Sequence, residues 1–358
     1  MTGATVLFVW RRTPPPLLIG GAEVSQQLLA EEFARAGWNV VYLGSHEAPW
    51  DGSSQAGALR AHLDAHGVAW DKAPDQIRYC WNGVQCTAVS QDRIEDALTT
   101  MVRQLFPAVV ITSQEGSAAL AALAHRCAGR VVGWIHSVSN TGTGVLRGGP
   151  SDVLVTSRFV ARRVRCPEGT RPVTFYPPFA AVVADAPLPA DGRADSAHGG
   201  VLMVNPVPAK GAALVHELVQ RLPDHLFTLV EGWWDTTDEF TGYPNVRYVP
   251  RTYDMASLYA SHRLLLVPSQ VEDAFPRVII EAGLHGLPAL GSDRGGIPEA
   301  VMDGGLILPP DDAEAWTKAI IAADPEQLGV RARRRAHPLT RRCLPELAAA
   351  GVIPEAGS

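Results

Sequence analysis

At 358 residues the chain can bury a large core and exceeds the length at which one core usually divides, so two domains are expected. Its 31 Lys and Arg against 37 Asp and Glu leave a net charge of −6, which provides no broad basic face and argues against a nucleic-acid partner. The opening MTGATVLFVWRR lacks a signal-peptide core and no run reaches about 18 apolar residues, so a cytoplasmic protein without a membrane span is expected.

Thr5 to Trp10 reads as a buried strand, followed by a proline-rich loop from Arg11 to Gly21. Val24, Leu28, Leu29 and Phe33 then fall on one helical face, Gly37 closes that helix, and Val40 to Leu43 is a second strand. This is a βαβ unit, the start of a parallel sheet covered by helices. The turn after the first strand is GGAE, not G-x-G-x-x-G, so the dinucleotide fingerprint is absent where it belongs.

Residues 46 to 106 are less regular. They hold IRYCW-NG-VQCTAV, whose Asn82-Gly83 pair predicts a two-residue hairpin with Cys80 opposite Gln85 and Tyr79 opposite Cys86. The two thiols then face opposite sides of the sheet, against a disulfide. The five cysteines (80, 86, 127, 166, 343) are scattered and lack the C-x-x-C spacing of a zinc site. A helix is expected over Asp92 to Leu105, and further parallel strands at Ala108 to Thr112, Arg130 to Ile135 and Val153 to Thr156. His136 follows one of these strand ends, where open α/β sheets bind ligands.

Residues 181–200, rich in Ala, Asp, Pro and Gly, are the best linker. A second α/β series follows: strand Val201 to Asn205, helix Ala212 to Arg221, strands Leu226 to Glu231 and Val246 to Val249, a short helix capped by Asp254, and strand Leu264 to Val267. Then comes Pro268 to Val301, PSQVEDAFPRVIIEAGLHGLPALGSDRGGIPEAV, read as loop, helix, strand, glycine turn and helix. A helix capped by Asp311 or Asp312 runs through Ala323. The last residues, 324–358, have weak periodicity and either pack back on the first domain or fray; RARRR at Arg331 to Arg335 reads as a solvated helix face. The fold class is therefore α/β, with two Rossmann-like domains, 1–180 and 201–323, facing each other across a cleft.

The chemistry concentrates in the second half. Lys210 leaves a strand and enters a helix, a place suited to an anion. Pro276 fits the first helical position, leaving the N–H groups of Arg277 and Val278 as phosphate donors, while Glu281 one turn on suits hydroxyls. A ligand with phosphates and hydroxyls together is a nucleotide-linked sugar.

These residues carry a resemblance. PS-x3-(D/E)-x-F-x5-EA, followed by S-x2-GG-x-PE, resembles the family 4 retaining glycosyltransferases of the GT-B fold, and GGAE, VVGWIH, SDVLVTS, FYPPF and NPVPAKG extend it through most of both halves. The resemblance implies an N-terminal acceptor domain, a C-terminal donor domain and metal-independent transfer from a UDP- or GDP-linked sugar, with no cofactor beyond that co-substrate. It implies that Glu281 holds the ribose, that Asp273 (with Glu272 beside it) contacts the transferred sugar, that Lys210 binds phosphate, and that His136 lies near the sugar. Gly20 and Gly21 match the family's glycine loop. Asn205, Arg251, Phe275, Pro276, Arg277 and Val278 complete the donor-binding set, and His136, Lys210 and Asp273 the catalytic one. Three positions depart from the family: Asp273 is one methylene short of the usual Glu, Pro276 replaces a Gly, and Asn205 replaces an Arg. The acceptor, a small molecule or a glycan, is expected at Thr13 to Gly21, near Trp81 and at Ser137 to Gly144; Trp233 and Trp234 are candidates to wall the base or sugar. A role in natural-product (aminoglycoside-like) or surface-glycan synthesis is expected, the former from a composition rich in Ala, Arg, Gly and Pro. The alternatives are a GT-B-fold epimerase or pseudo-glycosyltransferase, and a non-catalytic nucleotide-sugar-binding protein. Oligomeric state is not legible.

Overall fold

The computed structural model describes residues 3–17, 20–73, 75–126, 128–170, 172–180, 199–232 and 239–354. All but the last two residues of the expected linker, together with Cys127, Trp233 and Trp234, lie outside the described residues. The chain divides into two compact units, 1–178 with 342–358, and 179–341.

The first unit is built on β1 (Thr5–Val9), β2 (Asn39–Ser45), β3 (Trp70–Ala73), β4 (Gln76–Trp81), β5 (Val84–Val89), β6 (Val109–Thr112), β7 (Val131–Ile135), β8 (Asp152–Val155) and β9 (Pro172–Thr174). Among the described residues these pair in the order β3-β4-β5-β2-β1-β6-β7-β8-β9. Pairing is parallel from β5 to β9 and antiparallel through β3, β4 and β5. The central strands are apolar on both faces and buried, as a parallel sheet covered by helices requires. Helices α1 (Gly21–Arg35), α2 (Ala56–Ala65), α3 (Ile94–Leu105), α4 (Ser117–Ala124), α5 (Asn140–Thr143) and α6 (Arg158–Arg163) connect them.

The hairpin has the expected register, Tyr79 opposite Cys86 and Cys80 opposite Gln85. Asn82 at φ 47° and Gly83 at φ 82° form the turn, the paired positive angles that suit a right-twisted ribbon. Cys80 is exposed and Cys86 buried, on opposite faces. Several elements of this unit, α2, β3, α5 and α6 among them, were not read from the sequence. α2 buries only Leu59 and Leu63, too thin a stripe to stand out, and β3 is an edge strand recognisable only by its partner β4.

The second unit contains β10 (Val201–Val204), β11 (Phe227–Val230), β12 (Val246–Val249), β13 (Leu264–Val267), β14 (Ala289–Ser292) and β15 (Gly305–Leu308). They form an all-parallel sheet in the order β12-β11-β10-β13-β14-β15. Its helices are α7 (Ala212–Arg221), α8 (Met255–Ser261), α9 (Arg277–Leu284), α10 (Ile297–Val301), α11 (Ala313–Ala322) and α12 (Pro325–Ala336). Both units are thus Rossmann-like. Each has a switch point where strand order reverses, between β1 and β6 and between β10 and β13, and loops leaving the two strands diverge there to make a ligand crevice.

The second unit continues past residue 324. Asp324 caps α12, its Oδ1 accepting the Glu326 and Gln327 N–H groups at 3.1 and 3.0 Å. Gly283 and Gly304 leave room for the α12 backbone at Ala332, so residues to 341 belong to the second unit. Arg334 and Arg335 lie on the exposed face of α12 and pair with Asp303. Residues 342–358 join the first unit. There Glu32 Oε1 accepts from the Cys343 and Leu344 amides at 2.6 and 3.0 Å, and Leu347, Val352 and Ile353 enter the core after α13 (Leu344–Ala349) begins. Among the described residues no helix is long and apolar enough to cross a membrane.

Candidate active site

The switch point of the second sheet gathers most of the expected donor residues. β10 ends at Val204, one residue before the expected end, because Asn205 turns into the left-handed region at φ 60°. A turn of 3-10 helix, Pro208–Lys210, then leads into α7 through Gly211, at φ 95°. A Cβ on Gly211 would lie 2.3 Å from the Pro268 carbonyl oxygen, so glycine is required where this loop meets the loop after β13. Ala209 O accepts from Gln270 N at 3.0 Å and from Ser269 Oγ at 3.4 Å, fastening the two loops together.

That fastening delivers Lys210 to Asp273. Lys210 Nζ donates to Asp273 Oδ1 in an ion pair whose side chains are 32% and 18% exposed. Glu272, the alternative acid, is exposed beside it. The two residues read from sequence as phosphate cation and sugar acceptor are therefore partners of one another.

Gly295 and Gly296, in the glycine turn after β14, pack against the protein's own backbone. A Cβ on Gly295 would lie 2.4 Å from Asp273 O, and one on Gly296 2.1 Å from Ala274 O; Gly296 N donates to Asp273 O at 2.6 Å. The glycine pair thus fixes the Asp273 loop.

Phe275 is buried, and Pro276 occupies the N-cap of α9 at φ −71°, ψ 108°. It was expected one position further in, at the first helical residue. Arg277 and Val278 are therefore the first and second residues of the helix, still within the turn whose N–H groups lack intrahelical acceptors. The Arg277 side chain is only 7% exposed. Its Nε donates to Glu281 Oε1 at 3.0 Å, and its guanidinium lies over the Phe179 ring, 4.2 Å from the centroid. Burial holds the Arg277 pKa below its ordinary value, against the opposing pull of Glu281. Tyr259 Oη donates to Glu281 Oε2 at 3.3 Å, and burial, then the Glu281 charge, raises its pKa. Glu281 is thus aimed by one donor on each oxygen and keeps further lone pairs for a ligand. Sequence reading valued Arg277 only for its amide; the Arg-x3-Glu spacing was the available signal for the ion pair.

Arg251, two residues after β12, makes a local pair with Glu231. Its backbone N–H and its Nη2 each reach the Glu231 carboxylate at 3.1 Å, and the backbone bond leads in lowering the Glu231 pKa.

Gly20, Gly21 and His136 belong to the first unit. Gly20 is the extended N-cap of α1, and Gly21 its first residue. His136 follows β7 with its ring 4.4 Å from that of Trp134. Sequence reading missed Arg12, which bridges the switch point of this sheet. Arg12 Nη1 donates to Glu23 Oε1 at 2.5 Å, while Nη2 and Nε hold Glu115 at 2.6 and 2.9 Å. Burial opposes its charge, but Glu23 and Glu115 outweigh it and raise the pKa. Tyr79 Oη donates to Pro15 O at 2.6 Å, so the hairpin holds the proline-rich loop in place. Among the described residues no three His, Cys, Asp or Glu gather in a way that could hold a metal ion.

Residues 208–323 match the family model for Glycosyl transferases group 1, a segment that begins just before Lys210 and includes Asp273 and Glu281. No curated protein matches the chain in sequence. Solved structures are similar over almost the whole length. Sucrose-phosphate synthase from Thermosynechococcus elongatus is 20% identical, with 98% of each chain covered and a TM-score of 0.68. A glycosyltransferase from Rickettsia africae is 14% identical, with 100% of each covered and a TM-score of 0.69. Anabaena HepE in complex with UDP-glucose is 16% identical, covers 96% of this chain and 99% of its own, and has a TM-score of 0.69. The chain has the GT-B fold, and the matched domain together with that fold identifies a glycosyltransferase enzyme.

Proposed function

We propose that the protein is a cytoplasmic, metal-independent, retaining hexosyltransferase that moves a sugar from a nucleoside diphosphate to an acceptor hydroxyl. The observation that carries this reading is the gathering of Lys210, Asp273, the α9 N-terminus and an aimed Glu281 around one switch point. The HepE complexes with UDP and UDP-glucose support a uridine nucleotide as the donor's handle.

The residues divide the donor by chemistry. Glu281, steadied by Arg277 and Tyr259, accepts from the ribose hydroxyls. The positive end of α9 and Lys210 face the diphosphate. Donor binding exchanges the partner of Lys210, from Asp273 to phosphate. Asp273 is then free to accept hydrogen bonds from the transferred sugar. The shorter Asp is suited to this exchange, since its pairing with Lys210 in the empty site keeps both charges compensated.

In the reaction the bond from the anomeric carbon to the diphosphate oxygen breaks, and its electron pair leaves with the diphosphate. The acceptor oxygen bonds to the same carbon on the same face, and its proton passes to a leaving-phosphate oxygen. Retention rests on the family 4 resemblance. Lys210 and the α9 amides stabilise the charge that develops on the leaving group, a role worth about 3 kcal/mol of barrier per donor in preorganised sites. His136 orients the donor sugar. The test is nucleotide release with Lys210→Ala: a fall of about tenfold or more in a folded protein is expected, and wild-type turnover would remove Lys210 from the mechanism.

A further inference from the structure

The first unit contains a cavity of about 360 Å³ at the carboxyl ends of β6 and β7, walled by the start of α4 and by the α5 segment. We propose that this cavity is the acceptor subsite and that it takes a small polyhydroxylated molecule bearing an anionic group, a phosphate or a carboxylate. The proposal deepens the glycosyltransferase reading and rests on it only for the word acceptor.

Gln114 is the first reason. It lines the cavity, is 8% exposed, and has its backbone at φ 59°, a left-handed conformation uncommon for a residue with a side chain. Among the described residues its side-chain amide has no hydrogen-bond partner. A side chain buried up to an amide that opens onto the cavity, on a backbone held in an unfavourable region, is a group placed for a ligand's hydroxyls.

The second reason is the sign of the uncommitted charge. Glu115 also lines the cavity, but both its oxygens are held by Arg12, at 2.6 and 2.9 Å. Arg147 lines the cavity and, among the described residues, has no hydrogen bond or ion pair. α4 begins at the cavity without a side-chain cap, after Gly116 at φ 66°, and the Ala118 N–H has no acceptor among the described residues. The positive end of α4 and the Arg147 guanidinium therefore act together on a ligand. Gly144 lies between them: a Cβ there would sit at ordinary contact distance, 3.4 Å from Arg147 Nη2 and 4.0 Å from Ser117 Oγ. An anion finds a cation here, whereas an ammonium group finds only a carboxylate already spoken for. Asn140 and Thr141 at the rim add neutral groups matched to hydroxyls. The chemistry favours an acidic sugar or cyclitol over an aminosugar, and so turns away from an aminoglycoside acceptor.

The experiment is calorimetric titration of the full chain with glucose 6-phosphate, glucuronate, glucose and glucosamine, with UDP as the probe of the second unit. At least one of the two acids is expected to bind more tightly than glucose and glucosamine, and whichever does identifies the anion. Arg147→Ala is expected to weaken that acid by about tenfold and to leave glucose and UDP unchanged. Gln114→Gly, which relieves the backbone, is expected to weaken all the sugars without lowering the melting temperature. Lys210→Ala is expected to weaken UDP and leave the acid unchanged, which separates this cavity from the diphosphate site. Glucosamine binding as tightly as the acids, no sugar binding at millimolar concentration, an Arg147→Ala protein that binds the acid as wild type, or loss of acid binding in Lys210→Ala would each overturn the proposal. Acid binding in a protein that ignores UDP would leave the cavity standing and remove the nucleotide-sugar reading.

Discussion

Lys210 and Asp273, 63 positions apart, form an ion pair where the loops after β10 and β13 meet. Each neutralises a charge that would otherwise sit uncompensated in the empty site. On the proposed function this pairing competes with the donor, because the Asp273 carboxylate draws on the same lysine charge that would bind phosphate. Asp273→Asn is expected to tighten UDP binding severalfold while lowering the rate of sugar transfer, since the amide no longer holds the lysine and no longer accepts from the sugar as a carboxylate. Lys210→Ala is expected to weaken UDP. Calorimetric titration of UDP into both variants checks the opposite signs; two variants that both weaken UDP would contradict the exchange.

The Arg277–Glu281–Tyr259 group makes a second prediction. Tyr259→Phe removes one donor to a partly buried carboxylate and should cost about 1 kcal/mol of stability, read by urea unfolding. It should raise the KM for a UDP-sugar more than it lowers kcat if, as proposed, Glu281 acts on the ribose and not on the reacting carbon. The penalty should shrink with a 2′-deoxyribose donor, which offers Glu281 one hydroxyl fewer. An equal penalty with both donors would place Glu281 away from the ribose.

Arg12 is expected to be the most sensitive ion-pair residue of the first unit. Its side chain is 14% exposed and Glu23, which it holds, 5%. Arg12→Ala leaves that carboxylate buried without its cation and should cost about 3–5 kcal/mol. Adding Glu23→Gln should recover part of the loss, a coupling that urea unfolding of the double-mutant cycle measures. Purely additive losses would show that the two side chains act separately.

The histidines set the acid limb of stability. His262 Nδ1–H donates to Leu258 O at 2.6 Å, which leaves Nε2 of the neutral ring to accept from Thr228 Oγ1 at 2.8 Å, and burial leads in lowering its pKa below the ordinary 6.5. His285, His225 and His62 are lowered too, each chiefly by burial. Groups of this kind bind protons more readily in the unfolded chain. Their contribution is fully present above pH about 6.5 and is lost as pH falls below it, toward the lowered folded values. Melting temperature should therefore drop on acidification from pH about 7 to 5.5, and His262→Gln should flatten that slope. An unchanged slope in the variant would remove His262 from the account.

Much of the fold was legible because local chemistry agreed with the global outcome. The Asn82-Gly83 pair specified the hairpin and its register without help from the rest of the chain. The buried strands were plain as apolar runs and Asp254 was plain as a cap, while the later cap was narrowed to Asp311 or Asp312, of which Asp312 serves. Contacts between distant residues were not legible. Glu32 capping the amides of Cys343 and Leu344, more than 300 positions away, decides where the C-terminal segment packs, and no local pattern announces it. At the site, sequence named Lys210, Asp273 and Glu281 but not that Lys210 pairs with Asp273, nor that Glu281 is aimed by Arg277 and Tyr259. Those relationships arise from two loops fastened by backbone hydrogen bonds, and from the packing of α8 beside α9.

The most direct test of the central claim is incubation of the wild-type protein with UDP-glucose and glucose 6-phosphate or glucuronate as acceptor in the presence of EDTA, with products read by mass and by the anomeric coupling of the new linkage. The account predicts UDP release matched by a glycosylated acceptor of retained configuration, undiminished by EDTA and lost in Lys210→Ala. Transfer that requires added metal, inverts the anomeric centre, or survives intact in Lys210→Ala would contradict it.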